Sequence, residues 1–437
     1  MNKEHHKTFF AYVIPSVFAF ALSGVYTIVD GFFIGQKLGD PGLASITLGY
    51  PFSALIQAVG TGIGLSGAIR FTILAAQGEN KKQEACFSCT AILMAAISIL
   101  LSIFLFCFAE PMLQLFGAKG NVCSLAAEYT RVIALGAIFQ LLATGFVPFI
   151  RNMNGAAFAM AAMILGFLTN IVLDYAFVWR FDFGMAGAAY ATVIGQTVTM
   201  VSAIGFFIFK KTGFYLPAFH EFLHYGKDTL KRAFSPFGLT FSPIATMLFM
   251  NRFLLLYGNE QEVAVYGCIG YITSIIYLLL QGVGDGSQPL ISRSYGEGNM
   301  QGVKITRRAA YLCAFVITII CMVSVFLARA EIGILFGASE GANTDVIRYL
   351  PLFLATLLFV CYARITTSYF YATEQTLCSY ILVYAEPAIT FLLLLLLPLF
   401  FQLNGVWLAV PLAQVFTFTI AIILKHHIIA YEKCSSM

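Results

Sequence analysis

Long apolar segments separated by short polar ones run through almost the whole chain. A helix needs about 20 apolar residues to cross the bilayer, and twelve segments reach that length. The predicted spans 1 to 12 cover 9–33, 44–75, 86–108, 125–150, 157–179, 185–209, 233–257, 263–292, 308–328, 346–371, 378–401 and 405–424. Strands are excluded because an open sheet would leave unpaired backbone groups in lipid. The pattern therefore predicts an all-α polytopic membrane protein with twelve transmembrane helices.

Composition strengthens this assignment. Hydrophobic residues make up 59% of the chain, charged residues 11%, and the mean hydropathy is +0.85. Soluble domains carry roughly 25% charged residues, so lipid must cover most of this surface. The net charge of +4 comes from basic residues concentrated in particular loops. That distribution is typical of membrane orientation, and we expect no nucleic-acid partner.

The basic residues predict the orientation of the chain. Twelve spans place both termini on the same side of the membrane. With a cytoplasmic N-terminus, the inner loops hold sixteen Lys and Arg residues and the outer loops hold four. Cytoplasmic loops of membrane proteins carry such an excess of positive charge. We therefore expect both termini in the cytoplasm.

The two halves of the chain resemble each other. The longest polar segment, 210–232, lies in the middle and separates six spans from six. Matching residues recur at offsets of 218 to 221: Phe116-Gly117-Ala118 with Phe336-Gly337-Ala338, Gly187 and Gln196 with Gly405 and Gln414, and Pro15 with Pro236. Two such lobes around a central cavity are a common transporter plan. The predicted domains are an N-terminal six-helix lobe at 1–209, a cytoplasmic linker at 210–232, a C-terminal six-helix lobe at 233–424 and a cytoplasmic tail at 425–437.

Four polar residues fall in the outer half of the N-terminal lobe. Asp30 lies in span 1, Asn170 and Asp174 in span 5, and Thr192 in span 6. A carboxylate inside a span costs about 2.5–3.5 kcal/mol, so each acid requires a reason. Their depths differ by roughly 5–10 Å, which allows one shared cavity. Such a set can coordinate a hard cation or carry a proton. The alternative for Asp174 is that it caps span 5.

Pro15 and the residue matching Asp30 bear on the ion chemistry. Pro15 removes a backbone hydrogen bond deep in span 1 and should bend that helix, freeing carbonyls that an ion can use. A static kink is the alternative. The C-terminal lobe has Asn251 where the N-terminal lobe has Asp30. The ion chemistry is therefore predicted to be asymmetric.

The C-terminal lobe has polar residues of its own inside the spans. Glu386 in span 11 is well placed to meet a cationic substrate, although Arg364 could instead be its ion-pair partner. With Gln281 and Asn251, these residues are candidates for the substrate cavity. Asp285 lies toward the inner end of span 8, where we expect it to be solvated or paired.

Two short motifs are rejected as functional sites. His220, Glu221 and His224 match the HExxH zinc motif, but the other histidines lie near the chain ends, where no third zinc ligand is expected. The glycine run at 60–64 resembles a phosphate loop, yet it lies inside a span and its spacing recurs at 282–286. We interpret these glycines as helix-packing residues. No metal or cofactor is expected.

Three segments carry a family resemblance. Ile28-Val29-Asp30-Gly31-Phe32-Phe33-Ile34-Gly35, Asn170-Ile171-Val172-Leu173-Asp174 and Gly184-Met185-Ala186-Gly187-Ala188-Ala189 resemble segments of MATE (multidrug and toxic compound extrusion) transporters. The resemblance implies cation-coupled export of diverse, often cationic and amphipathic drugs. It also implies a bacterial branch with its cation site in the N-terminal lobe, which Pro15, Asp30, Asn170, Asp174 and Thr192 match. Another branch uses acids in span 7, where this chain has Asn251 and Arg252.

These observations combine into one expected function. We predict a secondary antiporter of the bacterial inner membrane, not an enzyme, that exports drugs, dyes and toxic compounds in exchange for Na⁺ or H⁺. We expect a monomer whose partners are these small molecules and membrane lipid. The alternative is a flippase for lipid-linked oligosaccharide or a related amphipathic lipid. A flippase would need a basic cavity for pyrophosphate, for which Arg252 and Arg364 are the available residues.

Overall fold

The structure, a computed structural model, describes residues 3–115, 117–335 and 339–435, and these parts are almost entirely helical. The helices are Lys3–Ala76 (broken at Gly39), Asn80–Leu115, Gly120–Leu135, Ala137–Asn152, Ala156–Asp174, Gly184–Phe209, Phe219–Tyr257, Glu260–Gly296, Met300–Leu327, Arg329–Leu335, Glu340–Ala372 and Thr376–Ser435 (broken at Gln402), with a π-helical turn at Tyr175–Arg180.

These helices account for the twelve predicted spans. Within the described residues, ten helices are long and apolar enough to cross a membrane. The pair Gly120–Leu135 and Ala137–Asn152, bent by 59°, forms an eleventh span. The stretch Thr376–Ile428 has 53 residues, about 80 Å of helix, which is far longer than a bilayer core of about 30 Å. The break at Gln402 divides it into two spans, so the predicted twelve are confirmed.

The turns between helices repeat in the two halves of the chain. Three pairs of residues with positive φ occupy matching positions: Gly78 with Gly298, Asn154 with Glu374, and Gly184 with Gln402. The members of the first two pairs lie 220 positions apart, and those of the third lie 218 apart. The predicted internal repeat is confirmed by this shared turn geometry. Of the motif pair that first suggested it, Phe116 and the whole of 336–338 lie outside the described residues.

The repeat contains one local difference. Gly184 comes 30 positions after Asn154, whereas Gln402 comes 28 positions after Glu374. The longer copy contains the π-helical turn Tyr175–Arg180, which is wider than an α-helical turn. Helical positions between Gly78 and this turn therefore match at an offset of 220, and those after it match at 218, whereas Pro15 and Asp30 in span 1 match at 221.

The chain divides into two compact units. One comprises Met1–Thr240 with Ser292–Met300, and the other Phe241–Ile291 with Gln301–Met437. We call them the first lobe and the second lobe. Helix Phe219–Tyr257 is continuous, so the predicted linker 210–232 contains its first turns. The exact division into six-helix lobes, linker and tail stays a prediction.

An aromatic cluster lies in the core of the first lobe. We call Phe71, Phe87, Phe146, Phe149 and Phe207 the phenylalanine cluster. The ring of Phe87 lies 5.2 Å from that of Phe149 and 5.0 Å from that of Phe207, both edge-on. Edge-to-face pairs of buried rings are favourable beyond their apolar burial. The contacts within the phenylalanine cluster are therefore between uncharged rings.

The glycine run at 60–64 packs spans 2 and 4 together. A Cβ atom on Gly64 would lie 2.2 Å from the carbonyl oxygen of Gly145, so the two helices approach backbone to backbone. Small residues at helix crossings in membranes have this role. The packing interpretation of this run is confirmed.

Candidate functional site

The four polar residues predicted to share a cavity lie together in the first lobe. Asp30, Asn170, Asp174 and Thr192 are exposed by only 6%, 2%, 0% and 4%. The Asn170 amide nitrogen donates a weak hydrogen bond to the Thr192 hydroxyl at 3.4 Å. The carboxyl groups of Asp30 and Asp174 lie close enough to act on each other electrostatically. We call these four residues the acidic site.

Close packing of spans 5 and 6 places two of the contributing helices side by side. A Cβ atom on Gly195 would lie 2.7 Å from the Gly166 carbonyl oxygen and 3.0 Å from the Asn170 Cβ atom. Only residues as small as glycine permit this approach of two helices. Asn170 follows Gly166 by one turn, and Thr192 precedes Gly195 by about one turn. The glycine contact therefore sets the spacing of the site.

Several oxygen atoms of the acidic site have no hydrogen-bond partner. They are Oδ1 of Asp30, Oδ1 of Asn170, and both carboxyl oxygens of Asp174. Buried polar atoms in proteins are nearly always hydrogen-bonded, so such a group of unsatisfied acceptors requires an explanation. Two adjacent carboxylates without donors repel each other unless a proton or a cation lies between them. The amide and hydroxyl oxygens add neutral ligands of the kind that hard cations accept.

Asp174 does not act as a helix cap. It lies where span 5 passes from α-helix into the π-helical turn, and its side chain makes no capping hydrogen bond. The capping alternative is therefore wrong. Single π-helical turns often occur at functional sites, where they change the direction of neighbouring side chains.

Two tyrosines beside the acids were missed from the sequence. Tyr26 interacts with Asp30 and Thr192, and its ring stacks on Phe167 at 5.2 Å. It precedes Asp30 by one helical turn, a signal that was available in the sequence. Tyr129 is buried and lies within the electrostatic field of both acids. It comes from span 4, so only the tertiary packing identifies it.

Pro15 lies inside the continuous helix Glu4–Gly39, and the break in the first long helix occurs at Gly39. The helix is held on both sides of the proline. Tyr12 donates a 2.5 Å hydrogen bond to Asn154, and the guanidinium of Arg151 lies 5.3 Å from the centre of the Phe20 ring. Pro15 cannot donate a backbone hydrogen bond within the helix, and it lies between the contacts made by Tyr12 and Phe20.

A second polar cluster lies in the second lobe. The Arg364 guanidinium lies 4.4 Å over the Tyr277 ring, and the Gln414 amide donates to the Tyr277 hydroxyl at 2.7 Å. Glu386 interacts with both Arg364 and Gln414. The structure thus brings the predicted residues Glu386 and Arg364 together. Gln281 and Asn251 are half-buried in spans 8 and 7.

Asp285 is buried rather than solvated. It is 3% exposed and accepts a 2.9 Å hydrogen bond from the Tyr371 hydroxyl, whose oxygen in turn lies 2.9 Å from the Ser368 hydroxyl and can accept from it. Of the two expected alternatives, a solvated or a paired residue, the structure shows the paired one. Span 10 supplies these partners, which the sequence of span 8 does not reveal.

The HExxH segment makes ordinary contacts. Glu221 accepts a 2.8 Å hydrogen bond from the Tyr215 hydroxyl, and partial burial together with this bond raises the pKa of Tyr215 to about 12. In the described part of the chain, no group of three or more His, Cys, Asp and Glu residues could hold a metal ion. Beside this contact lies a cavity of about 300 Å³ lined by Lys81, Lys82, Glu84, Tyr215, Glu221 and Tyr225.

Comparison with known proteins places the chain among membrane transporters. The family model described as MatE matches residues 15–176 and again 233–393, once in each half. The multidrug export protein MepA of Staphylococcus aureus strain N315 is 24% identical over 93% of this chain and 90% of its own length. MepA of Staphylococcus saprophyticus is 25% identical over 90% of this chain and 86% of its own length.

Solved structures share the fold. A MOP superfamily transporter from Pyrococcus furiosus superimposes with a TM-score of 0.89, at 24% identity, over 98% of this chain and 97% of that one. The helical two-lobe architecture is therefore that of this transporter fold.

Proposed function

Because the chain belongs to the MatE family, we propose that it is a secondary antiporter that exports cationic or amphipathic drugs in exchange for Na⁺ or H⁺. Its similarity to proteins named as multidrug exporters supports the substrate class. The similarity extends over nine-tenths of the chain in both relatives, so it covers both lobes.

The observation that carries the proposal is the acidic site. Asp30 and Asp174 lie side by side, buried in the first lobe, with carboxyl oxygens that no protein donor satisfies. An acid inside a membrane span is costly and is usually retained for ion or proton transport. We infer that the coupling cation, Na⁺ or H⁺, binds here and that Asn170 and Thr192 assist through their neutral oxygens.

Cation occupancy would act on span 1. With a proton or Na⁺ between the acids, Asp30 is held against Asp174 and spans 1 and 5 stay together. Without it, the two negative charges repel each other in a medium of low dielectric constant. Span 1 can respond at Pro15, where a backbone hydrogen bond is missing. In this way the occupancy of the cation site changes the shape of the drug cavity, and antiport requires such a coupling.

The location follows from the same reasoning. The relatives are bacterial, and the helices are long enough to cross a membrane many times. We propose that the protein lies in the bacterial inner membrane with both termini in the cytoplasm, because the basic residues are concentrated in the loops on that side.

The alternative, a flippase for lipid-linked oligosaccharide, is disfavoured. It would need a cationic cavity for pyrophosphate, whereas Asp30 and Asp174 make the buried site of the first lobe acidic. Arg364 is buried beside Tyr277 and acts on Glu386, which offsets its charge.

Proteoliposomes loaded with a cationic dye test the proposal. We expect the dye to leave the vesicles when the Na⁺ or proton concentration is higher outside than inside. With equal ion concentrations on both sides, we expect no dye movement. If neither gradient moves dye, the antiport proposal is wrong. If fluorescent lipid-linked oligosaccharide crosses the membrane instead, the flippase is correct.

A further inference from the structure

Three basic residues meet at one end of the second lobe. Arg307 and Arg308 lie in helix Met300–Leu327 where span 9 begins, and Lys425 directly follows span 12 in helix Thr376–Ser435. The charges that act on Lys425 are those of Arg307 and Arg308, and both are positive. In the orientation proposed above, this is the cytoplasmic end of the lobe. We call these three residues the basic cluster.

Aromatic side chains hold the basic cluster in place. The Lys425 ammonium lies 4.2 Å over the Tyr311 ring and 4.7 Å over the Tyr362 ring, and it donates to the Tyr362 hydroxyl at 3.0 Å. The Arg307 guanidinium lies 4.4 Å over the Tyr369 ring. Cation–π contacts of this kind fix a cation without neutralising it. Among the side chains that the structure describes here, aromatic rings therefore set the positions of the Lys425 and Arg307 charges.

The first lobe supplies an internal control for this arrangement. Arg307 and Tyr369 match Phe87 and Phe149 at an offset of 220, and Lys425 matches Phe207 at 218. In the first lobe these three phenylalanines pack on one another as the centre of the phenylalanine cluster. The repeated fold therefore closes this end of a lobe with uncharged rings. The cations of the second lobe are not a requirement of the architecture.

Like charges held close together are unfavourable unless an anion joins them. Arg307 is 8% exposed and Lys425 is half-buried, so water screens them only partly, while Arg308 is exposed. Basic pockets between transmembrane helices on the cytoplasmic side are suited to lipid head groups. Arginine offers a planar fork for phosphate oxygens, and lysine adds a point charge.

We propose that the basic cluster is a binding site for a phosphate group, supplied by an anionic phospholipid of the cytoplasmic leaflet. Arg307 and Lys425 would hold the phosphate from within the lobe, and the exposed Arg308 would close over it. Free phosphate has the same chemistry and is the competing source. This site is separate from the acidic site, and its occupancy does not depend on the transported drug.

Native mass spectrometry of the protein released from nanodiscs tests the proposal. The nanodiscs contain phosphatidylglycerol mixed with phosphatidylcholine, and the retained lipid is counted. We expect the wild type to retain phosphatidylglycerol selectively. The double variant Arg307→Phe with Lys425→Phe, which installs the residues of the first lobe, should retain it about twenty-five-fold less, since each basic residue near an anionic surface strengthens binding about five-fold.

Two further arms make the outcome decisive. Arg308→Gln alters an exposed side chain and leaves the packing unchanged, so a reduction of about five-fold is expected even if the double variant folds poorly. Arg329→Gln, at the other end of the same lobe, is the charge-matched control and should bind as the wild type. Equal retention by the wild type and Arg308→Gln would overturn the proposal. Complete displacement of the lipid by millimolar inorganic phosphate would overturn the lipid as the source.

Discussion

The two lobes share one fold but differ in the residues of the acidic site. At the positions of Asp30, Asn170, Asp174 and Thr192, the second lobe has Asn251, Thr390, Leu394 and Val410. Asn170 and Asp174 are buried, and so are Thr390 and Leu394, so the packing position is preserved while both acids are absent. An apolar residue fills the position of Asp174 without loss of the fold. The acids of the first lobe are therefore retained for chemistry rather than for folding.

The opposite difference is found at the ends of the lobes that we propose to face the cytoplasm. The first lobe has the uncharged phenylalanine cluster where the second has Arg307 and Lys425. The two copies thus carry charge at different places: the first lobe has buried acids at the acidic site, and the second lobe has bases at the basic cluster. The positions where the copies differ identify function better than the positions where they agree.

The largest effect is expected at Asp174. Asp174→Asn preserves the shape of the side chain but leaves Asp30 as the only carboxyl group, so a cation can no longer neutralise a pair. We expect gradient-driven dye export in proteoliposomes to fall to background, with normal membrane insertion. The matched control is Asp182→Asn, an exposed acid paired with Lys37 at 3.1 Å, which should export normally. Undiminished export by Asp174→Asn would contradict the role of the first lobe.

The next effect is structural and concerns the spacing of spans 5 and 6. Gly195→Ala would place a methyl group 2.7 Å from the Gly166 carbonyl oxygen, so the helices must separate. We expect a loss of about 1–3 kcal/mol in stability, as for other overpacked sites, and slower export. Thermal unfolding in detergent measures it. Gly205→Ala in the same span meets nothing within 4 Å and should be neutral or slightly stabilising.

A smaller and different effect is expected in the second lobe. Glu386→Gln removes a negative charge from the cluster with Arg364 and Gln414. If Glu386 binds cationic substrates, the KM for a cationic dye should rise about tenfold, because one charge-assisted hydrogen bond to the dye is lost. The dependence of export on the ion gradient should stay unchanged. A changed ion dependence would show that coupling is shared between the lobes.

The smallest effect is expected at the HExxH segment. Tyr215→Phe removes the hydrogen bond to Glu221 at a partly exposed position, and the cost should be below about 1 kcal/mol. His220→Ala should leave export unchanged, and a zinc chelator should have no effect on either protein. Zinc-dependent export, or peptide hydrolysis lost in His220→Ala, would restore the metal interpretation.

Much of the fold could be predicted from the sequence because each span must be about 20 apolar residues long. The bends and breaks of the helices could not be predicted from the sequence, since they depend on packing between helices. The bend between Leu135 and Ala137 lies at Gly136, where a Cβ atom would lie 2.2 Å from Val193 in another span. Nothing in the periodicity of span 4 signals that contact.

The candidate site was predictable to a similar degree. The acids and their partners could be found because a charge inside an apolar span is conspicuous. Tyr129 could not be predicted from the sequence, because tyrosines are common in apolar helices and only the packing of this one places it beside the acids. The partner of Asp285 could not be identified for the same reason, since Tyr371 comes from span 10.

Equilibrium cation binding tests the central claim most directly. Purified wild type, Asp174→Asn and Glu386→Gln would be titrated with Na⁺ by calorimetry at fixed pH, with proton release followed in parallel. The account predicts one cation bound, or one proton exchanged, by the wild type and by Glu386→Gln, and neither by Asp174→Asn. Unchanged binding in Asp174→Asn, or its loss in Glu386→Gln, would contradict a coupling site confined to the first lobe.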